Sequence, residues 1–218
     1  MREEKTKQVS VILPVCNRRH LVFRAIASVE KQSYPDWELL IIDDGSTDGL
    51  EQDLLPEVLK NPRWRYIKQS KRGAPLCRNF GIRAAAGEYV TFLDSDDEYT
   101  KDHLQRKVHY FEDHPGVDII HGGVELVGEP DSFFVKDAFH PDKMIHLSEC
   151  CICPTFFGKR EAFLQSGGFR NLSYSAESEF LPRVSKLFHV EKVDFPTYRY
   201  YTGLPDSICT LRKKDNDK

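Results

Sequence analysis

The apolar residues in the first half of the chain fall into short consecutive runs that alternate with stretches of helical spacing. Short runs rich in β-branched side chains predict buried strands, whereas apolar residues three and four positions apart predict helices. Strands are predicted over residues 9–13, 37–42, 64–68 and 88–93. Helices are predicted over residues 21–32, 48–60, 75–86 and 100–113. This alternation predicts an α/β fold with one mostly parallel sheet and helices on both of its faces.

Polar and special residues mark the ends of the predicted helices. Asn17 and Thr100 have side chains that can accept hydrogen bonds from free N–H groups, so they are predicted to cap the first and the fourth helix. Pro75 lies near the start of the third helix and Gly87 just past its end, where these residue types are favoured. Pro56 predicts an interruption or a kink in the second helix.

The second half of the chain has a less regular pattern. Two strand-like runs within residues 117–127 are separated by Gly122 and Gly123, and residues 128–141 have the composition of a loop. Helices are predicted over residues 159–165 and 177–187, and short strands over residues 190–193 and 197–201.

The composition is that of a single globular domain. The chain has 218 residues, of which 40% are hydrophobic, and this is enough for one sizeable core. Polar segments at residues 1–8 and 212–218 are predicted to be tails of a domain over residues 9–211. The net charge of −3 gives no support for a nucleic-acid-binding face, which is usually basic. No apolar stretch reaches the roughly 18 residues of a membrane-spanning helix, and the N-terminus lacks the apolar core of a secretory signal, so a cytoplasmic location is expected.

Carboxylates follow two of the predicted strands. Asp43 and Asp44 come at the end of the second strand, and residues 94–97, Asp-Ser-Asp-Asp, follow the fourth. Ligands of parallel α/β sheets bind beyond the carboxyl ends of the strands, so both acidic segments are expected at one rim. Hard oxygen ligands in this number suit Mg²⁺ or Mn²⁺, and Mg²⁺ usually completes its shell with water and substrate phosphates.

Each acidic segment also has a simpler interpretation. An isolated Asp-Ser-Asp-Asp is more often a solvated turn before a helix than a metal site. Residues 43–48 contain ordinary turn and N-cap residues, although a carboxylate there can also accept hydrogen bonds from a base or a ribose. Two acidic clusters at two strand ends arise by accident less often than a single cluster does, so their joint presence favours a ligand site.

A basic loop that contains a glycine lies between the acidic segments, at residues 71–81. A glycine loop that leads into a helix N-terminus suits a phosphate group. Arg72 and Arg78 could add positive charge, and Arg78 faces the rim if the helix begins near Pro75. The alternative interpretation is a solvated basic turn.

The cysteines and histidines indicate no separate metal or redox site. Six cysteines are irregularly spaced, and a chain of this size does not need disulfides. Cys150 and Cys153 form one Cys-x-x-Cys, but a zinc site normally needs a second ligand pair, which the sequence lacks. We therefore expect buried or inert thiols. The eight histidines have no spacing typical of metal ligands.

The order of these motifs resembles that of the family 2 glycosyltransferases. Pro14-Val15-Cys16-Asn17 resembles the family's Pro-Val-Tyr-Asn opening, with a cysteine in place of the tyrosine. Residues 32–38 and 43–48 resemble its nucleotide-binding segment. Arg78-Asn79-x-Gly81, followed by residues 87–97, resembles its central signature. The resemblance extends over most of the chain.

This resemblance implies a GT-A fold and an inverting transfer of a sugar from a nucleoside diphosphate sugar, in the first place a UDP-sugar, to a hydroxyl acceptor. It also implies cell-surface polysaccharide or lipopolysaccharide synthesis, a carbohydrate or lipid-linked acceptor, and peripheral association with the inner face of the membrane. Residues 9–98 would form the nucleotide-sugar-binding half and residues 99–211 the acceptor and catalytic half. The implied donor-binding residues are Pro14, Val15, Asn17, Asp43, Asp44, Arg72, Arg78, Asp94 and Ser95.

The resemblance further implies a divalent metal on the diphosphate. Asp96 would ligate Mn²⁺ or Mg²⁺, and the cation would neutralise the charge that grows on the leaving phosphate. Asp97 is a further candidate for this site. Tyr201 is another, because it stands where the family commonly has a histidine two residues after a Tyr-Arg, here Tyr198-Arg199.

An inverting transfer also needs a general base for the acceptor hydroxyl. In the family it is usually the Asp of a Glu-Asp pair shortly after a Gly-Gly-Phe, which is present here at residues 167–169. The resemblance places Ala176 and Glu177 at the pair, so Glu177 is the candidate base and Glu179 the fallback. Because Ala176 stands where the family's pair has its first acid, an alternative function stays open, namely a sugar-nucleotide-binding protein with lost or weak catalysis. A nucleotidyltransferase ranks last, because residues 11–19 contain no glycine for a phosphate loop.

Overall fold

The computed structural model describes residues 9–138, 140 and 142–210, and the predicted tails at residues 1–8 and 212–218 lie outside the described residues. The strands are β1 (Val9–Val15), β2 (Trp37–Asp43), β3 (Trp64–Lys68), β4 (Tyr89–Phe92), β5 (Glu98–Tyr99), β6 (Ile119–His121), β7 (Val124–Val127), β8 (Phe134–Lys136), β9 (Met144–His146), β10 (Phe157–Lys159), β11 (Val190–Lys192) and β12 (Tyr198–Tyr201). The α-helices are α1 (Arg19–Glu30), α2 (Leu50–Lys60), α3 (Ala74–Ala84), α4 (His103–Asp113), α5 (Arg160–Gln165) and α6 (Ala176–Val184). Within the described part of the chain, these helices are too short or too polar to cross a bilayer.

Seven of the strands form one large sheet in the order β11-β6-β10-β4-β1-β2-β3. Its neighbouring strands are parallel except at β10, which runs antiparallel to β4 and β6. The central strands β1, β2 and β4 are buried at every position. Continuous burial is typical of parallel strands with helices on both faces. The predicted mostly parallel sheet is therefore confirmed.

Helices cover both faces of this sheet. Along β1, Val11 and Leu13 belong to the core on one face and Ile12 to the core on the other, because successive side chains alternate along a strand. The first core includes side chains of α1, α2 and α4, and the second includes side chains of α3, α5 and α6. Burial of each large apolar side chain contributes roughly 1.5–3 kcal/mol, so these two layers are the main source of stability.

The second half of the chain adds two smaller sheets. Strand β12 lies between β5 and β7, and β8 pairs with β9 in an antiparallel ribbon. Tyr198 of β12 pairs with Tyr99 of β5, which brings β12 next to the acidic residues 94–97. Val135, Leu147 and Ile152 form a small separate core around the ribbon.

The predicted capping role of Asn17 is wrong. Helix α1 begins at Arg19, and its N-cap residue is Arg18. Asn17 has a φ of 52°, and its side-chain oxygen accepts a hydrogen bond from the Thr47 N–H at 2.8 Å. The side chain therefore joins two loops instead of satisfying the first turn of the helix.

The predicted cap of α4 and the predicted interruption of α2 are also wrong. Helix α4 begins at His103, and the Thr100 hydroxyl donates a hydrogen bond to Asp102 at 2.7 Å instead of accepting one from the helix. Helix α2 is continuous through Pro56, which lies on its exposed side. At an exposed position the carbonyl that loses its helical partner can bond to water, and this lowers the cost of the proline.

Several short elements differ from the prediction in the second half, and strand β9 is also among those that were not predicted. The predicted loop over residues 128–141 contains a 3₁₀ helix at Pro130–Phe133 and strand β8 among its described residues. Strand β10 was not predicted, although it joins β4 to β6 in the large sheet. Helix α6 contains Pro182, as predicted, and ends at Val184.

Candidate active site

A cavity of about 620 Å³ lies at the carboxyl ends of β1, β2 and β4. Pro14 and Val15 line it from the end of β1, and Asp44 lines it from the loop after β2. Residues 94–97 line it after β4, and Arg78 reaches it from α3. Acidic residues from both strand ends therefore face one cavity, as the parallel topology predicts.

Asp94 forms an ion pair with Arg78 on the wall of this cavity. The Arg78 Nη2 atom lies 2.6 Å from the Asp94 Oδ1 atom, and the arginine is buried. The main-chain N–H of Asp94 donates to the Tyr198 hydroxyl at 3.3 Å. These contacts hold the Asp94 carboxylate in one position, and Ser95 next to it is buried against the same wall.

Asp97 is engaged by the protein itself. The Tyr198 hydroxyl donates to Asp97 Oδ2 at 2.6 Å, and the Tyr201 main-chain N–H donates to Asp97 Oδ1 at 2.8 Å. Burial, followed by the charges of Asp96 and Asp94, raises the pKa of the Asp97 carboxyl well above its usual value. Asp97 therefore fixes strand β12 against the acidic segment, and both of its oxygens already have donors.

Asp96 has a different environment. Its main-chain oxygen accepts a hydrogen bond from Arg24 Nη2, and the residue lines the cavity. Burial and then the charge of Asp94 raise the pKa of Asp96 to about 6. A carboxylate destabilised in this way gains from a cation placed beside it, because the opposite charge favours the ionised form.

The donor set fits a divalent metal that is only partly ligated by protein. In residues 9–138, 140 and 142–210 there is no group of three or more His, Cys, Asp or Glu side chains that could enclose a metal ion. Mg²⁺ commonly binds through one or two carboxylates and takes its remaining ligands from water and phosphates. Asp96, with Asp94 beside it, meets that requirement, so these residues could hold Mn²⁺ or Mg²⁺ together with a diphosphate.

Glu177, in the first turn of α6, lines the same cavity. Ser175, two residues before Glu177, has a left-handed φ of 53°. Its hydroxyl donates a hydrogen bond to Glu177 Oε1. Burial raises the pKa of the Glu177 carboxyl, while the positive charge of Arg78 opposes this rise. A partly buried carboxylate with a raised pKa that faces a cavity can act as a general base.

Glu179, the fallback base, is committed elsewhere. Its carboxylate pairs with Arg183 at 2.8 Å and with Arg170 at 3.1 Å. The hydrogen bond from Arg183 is the main reason that the pKa of Glu179 is lowered. The described lining of the cavity includes Glu177 but not Glu179. The geometry therefore distinguishes the two candidates, which the sequence left close together.

The two carboxylates after β2 organise loops. Asp43 accepts hydrogen bonds from the Tyr66 hydroxyl and from the Ser46 N–H at 2.7 Å, and it does not line the cavity. Asp44 accepts from the main-chain N–H groups of Arg72 at 2.7 Å and Gly73 at 2.8 Å. Burial raises the pKa of Asp44, but these hydrogen bonds outweigh it and leave the pKa lowered. Asp44 thus fixes the loop at residues 72–73, which leads into α3, beside the cavity.

Two other sequence candidates lie outside the cavity lining. The Arg72 side chain is exposed, and its main-chain N–H is the group that contacts Asp44. The Asn17 side-chain oxygen accepts a hydrogen bond from the Thr47 N–H, as described above. The cavity thus brings together ten of the sequence candidates, which are Pro14, Val15, Asp44, Arg78, Asp94, Ser95, Asp96, Asp97, Glu177 and Tyr201.

Several residues of the site were not identified from the sequence. Arg18 lines the cavity, and its guanidinium bonds to the Asp206 carboxylate and, at 2.7 Å, to the Asp206 main-chain oxygen. Arg24 stacks on the Tyr201 ring at 3.8 Å and holds the Asp96 main chain. Arg18 directly follows the Pro-Val-Cys-Asn motif, and this position could have identified it as a site residue from the sequence. The contacts of Arg24 depend on the tertiary fold and could not be identified in this way.

All six cysteines of the chain line the cavity, and all six are free thiols. Burial raises the pKa of the Cys77 thiol to about 12 and that of the Cys150 thiol to about 11. Such thiols stay protonated and behave as small apolar groups.

Comparison with known proteins agrees with this geometry. The sequence profile of Glycosyl transferase family 2 matches residues 10–166. The putative colanic acid biosynthesis glycosyl transferase WcaA of Escherichia coli is 41% identical over 97 residues, which cover 44% of this chain and 35% of that protein. An uncharacterized glycosyltransferase of Rickettsia felis is 42% identical over 106 residues, or 49% of this chain and 17% of that protein. The chain thus spans well under half the length of these relatives.

Two solved structures have the same fold. Staphylococcus aureus TarS 1–349 in complex with UDP-GlcNAc superposes with a TM-score of 0.72 at 21% identity, over 94% of this chain and 60% of that chain. The mannosyltransferase PcManGT from Pyrobaculum calidifontis, in complex with GDP-Man and Mn²⁺, superposes with a TM-score of 0.72 at 18% identity, over 96% of this chain and 61% of that chain. The profile covers more than half of the chain and the fold agrees with it, so the chain belongs to glycosyl transferase family 2 and has the GT-A fold.

Proposed function

We propose that this chain transfers a sugar, with inversion, from a nucleoside diphosphate sugar to a hydroxyl group of an acceptor in cell-surface polysaccharide synthesis. The observation that carries this proposal is that Asp96, in the turn after β4, and Glu177, in α6, line the same cavity. One carboxylate suits a metal on the leaving diphosphate, and the other suits a base for the incoming hydroxyl. Inversion requires the leaving group and the nucleophile on opposite sides of the anomeric carbon, and a sugar bound between these two carboxylates would meet that requirement.

The donor half is assigned to residues 9–98. Pro14, Val15 and Asp44 line the part of the cavity where a nucleoside would lie, and Asp94 and Ser95 belong to the same lining. TarS bound to UDP-GlcNAc supports a UDP-sugar donor, while PcManGT bound to GDP-Man keeps a GDP-sugar as the competing choice. The nucleotide titration described below distinguishes them.

A divalent metal would be held by Asp96, with Asp94 beside it, and it would neutralise charge on the departing diphosphate. The Mn²⁺ in the PcManGT complex supports this assignment. Arg78 then keeps Asp94 in position through the ion pair at 2.6 Å. Tyr198 does the same for Asp97, so the segment that carries Asp96 is fixed at both ends.

Glu177 is assigned the role of general base. As the acceptor oxygen bonds to the anomeric carbon, the bond from that carbon to the diphosphate oxygen breaks, and the hydroxyl proton moves to a Glu177 carboxylate oxygen. A raised pKa makes the carboxylate a stronger proton acceptor, and the charge of Arg78 keeps it ionised before the reaction. The acceptor half, residues 99–211, would bind a carbohydrate or lipid-linked acceptor. The relative WfgD, a glucosyltransferase that acts on a GlcNAc-diphosphoundecaprenol, supports this class.

Calorimetric titration of UDP, GDP and other nucleoside diphosphates, with and without Mn²⁺, tests the donor site. We expect one nucleotide to bind tightly only with the metal, and Asp96→Asn to remove that dependence. Asp113→Asn, an exposed carboxylate at the end of α4, is the control and should bind like the wild type. The absence of nucleotide binding under every condition would overturn the proposal. Metal-dependent binding without turnover on any acceptor would favour a sugar-nucleotide-binding protein.

A further inference from the structure

A row of three polar side chains runs along α1 and the turn that follows it. They are spaced four residues apart, so they lie on one face of the helix. Each bonds to the main chain of the segment that begins at Asp96. The bonds run from the Arg24 guanidinium to the Asp96 carbonyl, from the Tyr99 N–H to the Ser28 hydroxyl at 3.1 Å, and from the Gln32 amide to the Thr100 carbonyl at 2.7 Å. Helix α1 therefore fixes the main chain over residues 96–100.

Arg24 makes a second contact, with the ring of Tyr201. Its guanidinium carbon lies 3.8 Å from the ring centroid, which is close enough for a cation–π interaction. The Tyr201 main-chain N–H donates to Asp97 Oδ1 at 2.8 Å, and the Tyr201 hydroxyl donates to the Glu98 carboxylate. Arg24 and Tyr201, which contact each other, thus hold three consecutive residues, Asp96, Asp97 and Glu98.

This orientation leaves one polar atom of Arg24 unsatisfied. The Nε atom is buried and has no hydrogen-bond partner among the residues that the structure describes. A buried N–H without a partner is costly, so each such group in a folded protein calls for an explanation. The guanidinium is stacked on the Tyr201 ring and donates to the Asp96 carbonyl through Nη2. The side chain is therefore held for these two contacts and not in an orientation that satisfies all of its donors.

The position of the Asp96 carboxylate depends on the main chain that Arg24 holds. Burial, followed by the charge of Asp94, raises the pKa of Asp96, while a hydrogen bond from the main-chain N–H of Asp96 itself opposes the rise. The carboxylate is thus tied to its own peptide group, so a shift of the main chain at Asp96 moves the carboxylate with it. Arg24 contacts the carbonyl and not the carboxylate, so its effect on Asp96 comes from geometry.

From these contacts we infer that Arg24, acting together with the Tyr201 ring, is a positioning residue for the metal-binding carboxylate of Asp96. The inference rests on the proposed function, because it takes Asp96 as the metal ligand. A planar guanidinium can stack on a ring and donate to a carbonyl at the same time, whereas the compact ammonium group of a lysine lacks this fork geometry. Arg24→Lys therefore keeps the positive charge and removes the geometry.

Titration of Mn²⁺ into the full chain tests this role, with the free ion measured by its electron paramagnetic resonance signal. The titration is made with UDP at a fixed concentration and repeated with GDP. Arg24→Lys should weaken Mn²⁺ binding about 10–100-fold, the range for groups that orient metal ligands, and should leave the weaker nucleotide binding measured in EDTA unchanged. Tyr201→Leu should weaken Mn²⁺ binding by a similar factor. The double variant should lose no more than either single variant, because both residues act through one contact.

Two control variants separate positioning from a loss of stability. Ser28→Ala removes the acceptor of the buried Tyr99 N–H, so it should lower the temperature of thermal unfolding and leave Mn²⁺ affinity unchanged. Arg63→Lys disturbs an equivalent stack outside the cavity lining, since the Arg63 guanidinium carbon lies 3.7 Å from the Trp37 ring centroid. The Arg63→Lys variant should also bind Mn²⁺ like the wild type.

The outcomes separate this inference from the proposed function. If the wild type binds Mn²⁺ with a nucleotide and Arg24→Lys binds it equally well, only the role of Arg24 is overturned. A similar loss in Ser28→Ala, or an equal loss of nucleotide binding in EDTA, would overturn that role as well, because it would indicate a general effect of stability. Losses that add in the double variant would contradict the joint action of Arg24 and Tyr201. A wild type that binds no Mn²⁺ with either nucleotide would overturn the assignment of Asp96 as metal ligand, and the role of Arg24 with it.

Discussion

Asn79 and Phe169 are joined by two hydrogen bonds although 90 residues of chain separate them. The Asn79 side-chain amide donates to the Phe169 carbonyl at 2.7 Å, and its oxygen accepts from the Phe169 N–H at 2.8 Å. Gly168 makes this approach possible, because a Cβ atom there would lie 2.2 Å from the Asn79 Oδ1 atom. The pair connects α3, which carries Arg78, to the turn that leads toward Glu177. It therefore fixes α3 against the turn at residues 167–169.

Asn79→Ala should destabilise the fold strongly. The substitution leaves the buried N–H and carbonyl of Phe169 without partners, and each such group costs about 1–3 kcal/mol. We expect a loss of roughly 2–4 kcal/mol in the free energy of unfolding, measured by urea denaturation. Asn171→Ala, at an exposed position two residues after Phe169, is the control and should stay within about 0.5 kcal/mol of the wild type. Equal midpoints for the two variants would contradict the structural role of Asn79.

The large sheet could be predicted because its central strands have strong patterns. Strands β1 and β2 are apolar at almost every position and each is followed by a helical stretch, so their type and order follow from the sequence. Strand β10 consists of three residues, Phe157–Lys159, which carry no periodicity. It exists because distant strands β4 and β6 supply its hydrogen bonds, and this information is not local.

The position of the candidate site could be predicted from the sequence, but the hydrogen-bond partners of its carboxylates could not. The rule that ligands bind at the carboxyl ends of parallel strands brings Asp44 and Asp96 to one rim. The sequence does not reveal that loop N–H groups occupy Asp44 or that tyrosines occupy Asp97, because the partners of Asp97 lie 101 and 104 residues away. The predicted cap at Asn17 was wrong for the same reason, since its side-chain oxygen accepts a hydrogen bond from Thr47 in another loop.

Gly81→Ala tests the contact between α3 and β1. A Cβ atom at Gly81 would lie 2.4 Å from Cγ2 of Ile12, which is fully buried in the centre of the sheet. Overpacking of this kind costs about 1–3 kcal/mol, while alanine in a helix returns roughly 0.5–1 kcal/mol. The net loss of stability should be about 1–2 kcal/mol in urea denaturation. Gly116→Ala, with no atoms within 4 Å of the new Cβ, should have no measurable effect, and a similar loss there would rule out a steric cause at Gly81.

Arg18 is a cation in the cavity lining that already has a partner. Its guanidinium bonds to Asp206 of the C-terminal segment, so the Asp206 carboxylate competes with an anionic ligand for the same group. Asp206→Asn should therefore tighten nucleoside diphosphate binding about two- to fivefold, the scale of an exposed ion pair. Glu125→Gln, which removes the exposed pair with Arg199 at 3.0 Å, is the matched control and should leave the affinity unchanged. Equal affinities for the Asp206→Asn variant and the wild type would mean that Arg18 does not contact the diphosphate.

The pH dependence of turnover should report on Glu177. Burial raises the pKa of this carboxyl above its usual value. A base must be ionised to accept a proton, so kcat at saturating donor and metal should fall about tenfold per pH unit below that pKa and be constant above it. Because the pKa is raised and not lowered, the acidic limb of the pH profile, where kcat falls, moves toward neutral pH.

Glu177→Gln keeps the shape of the side chain but removes its ability to accept a proton. We expect kcat to fall by about 10²–10⁴-fold, the acidic limb to disappear, and nucleotide affinity to stay the same. Glu179→Gln is the matched control, because Glu179 lies two residues further along α6 and is bound by Arg183 at 2.8 Å, outside the cavity lining. The Glu179→Gln variant should keep the acidic limb of the pH profile. An acidic limb that survives in Glu177→Gln, or that vanishes in Glu179→Gln, would assign proton removal to a different group.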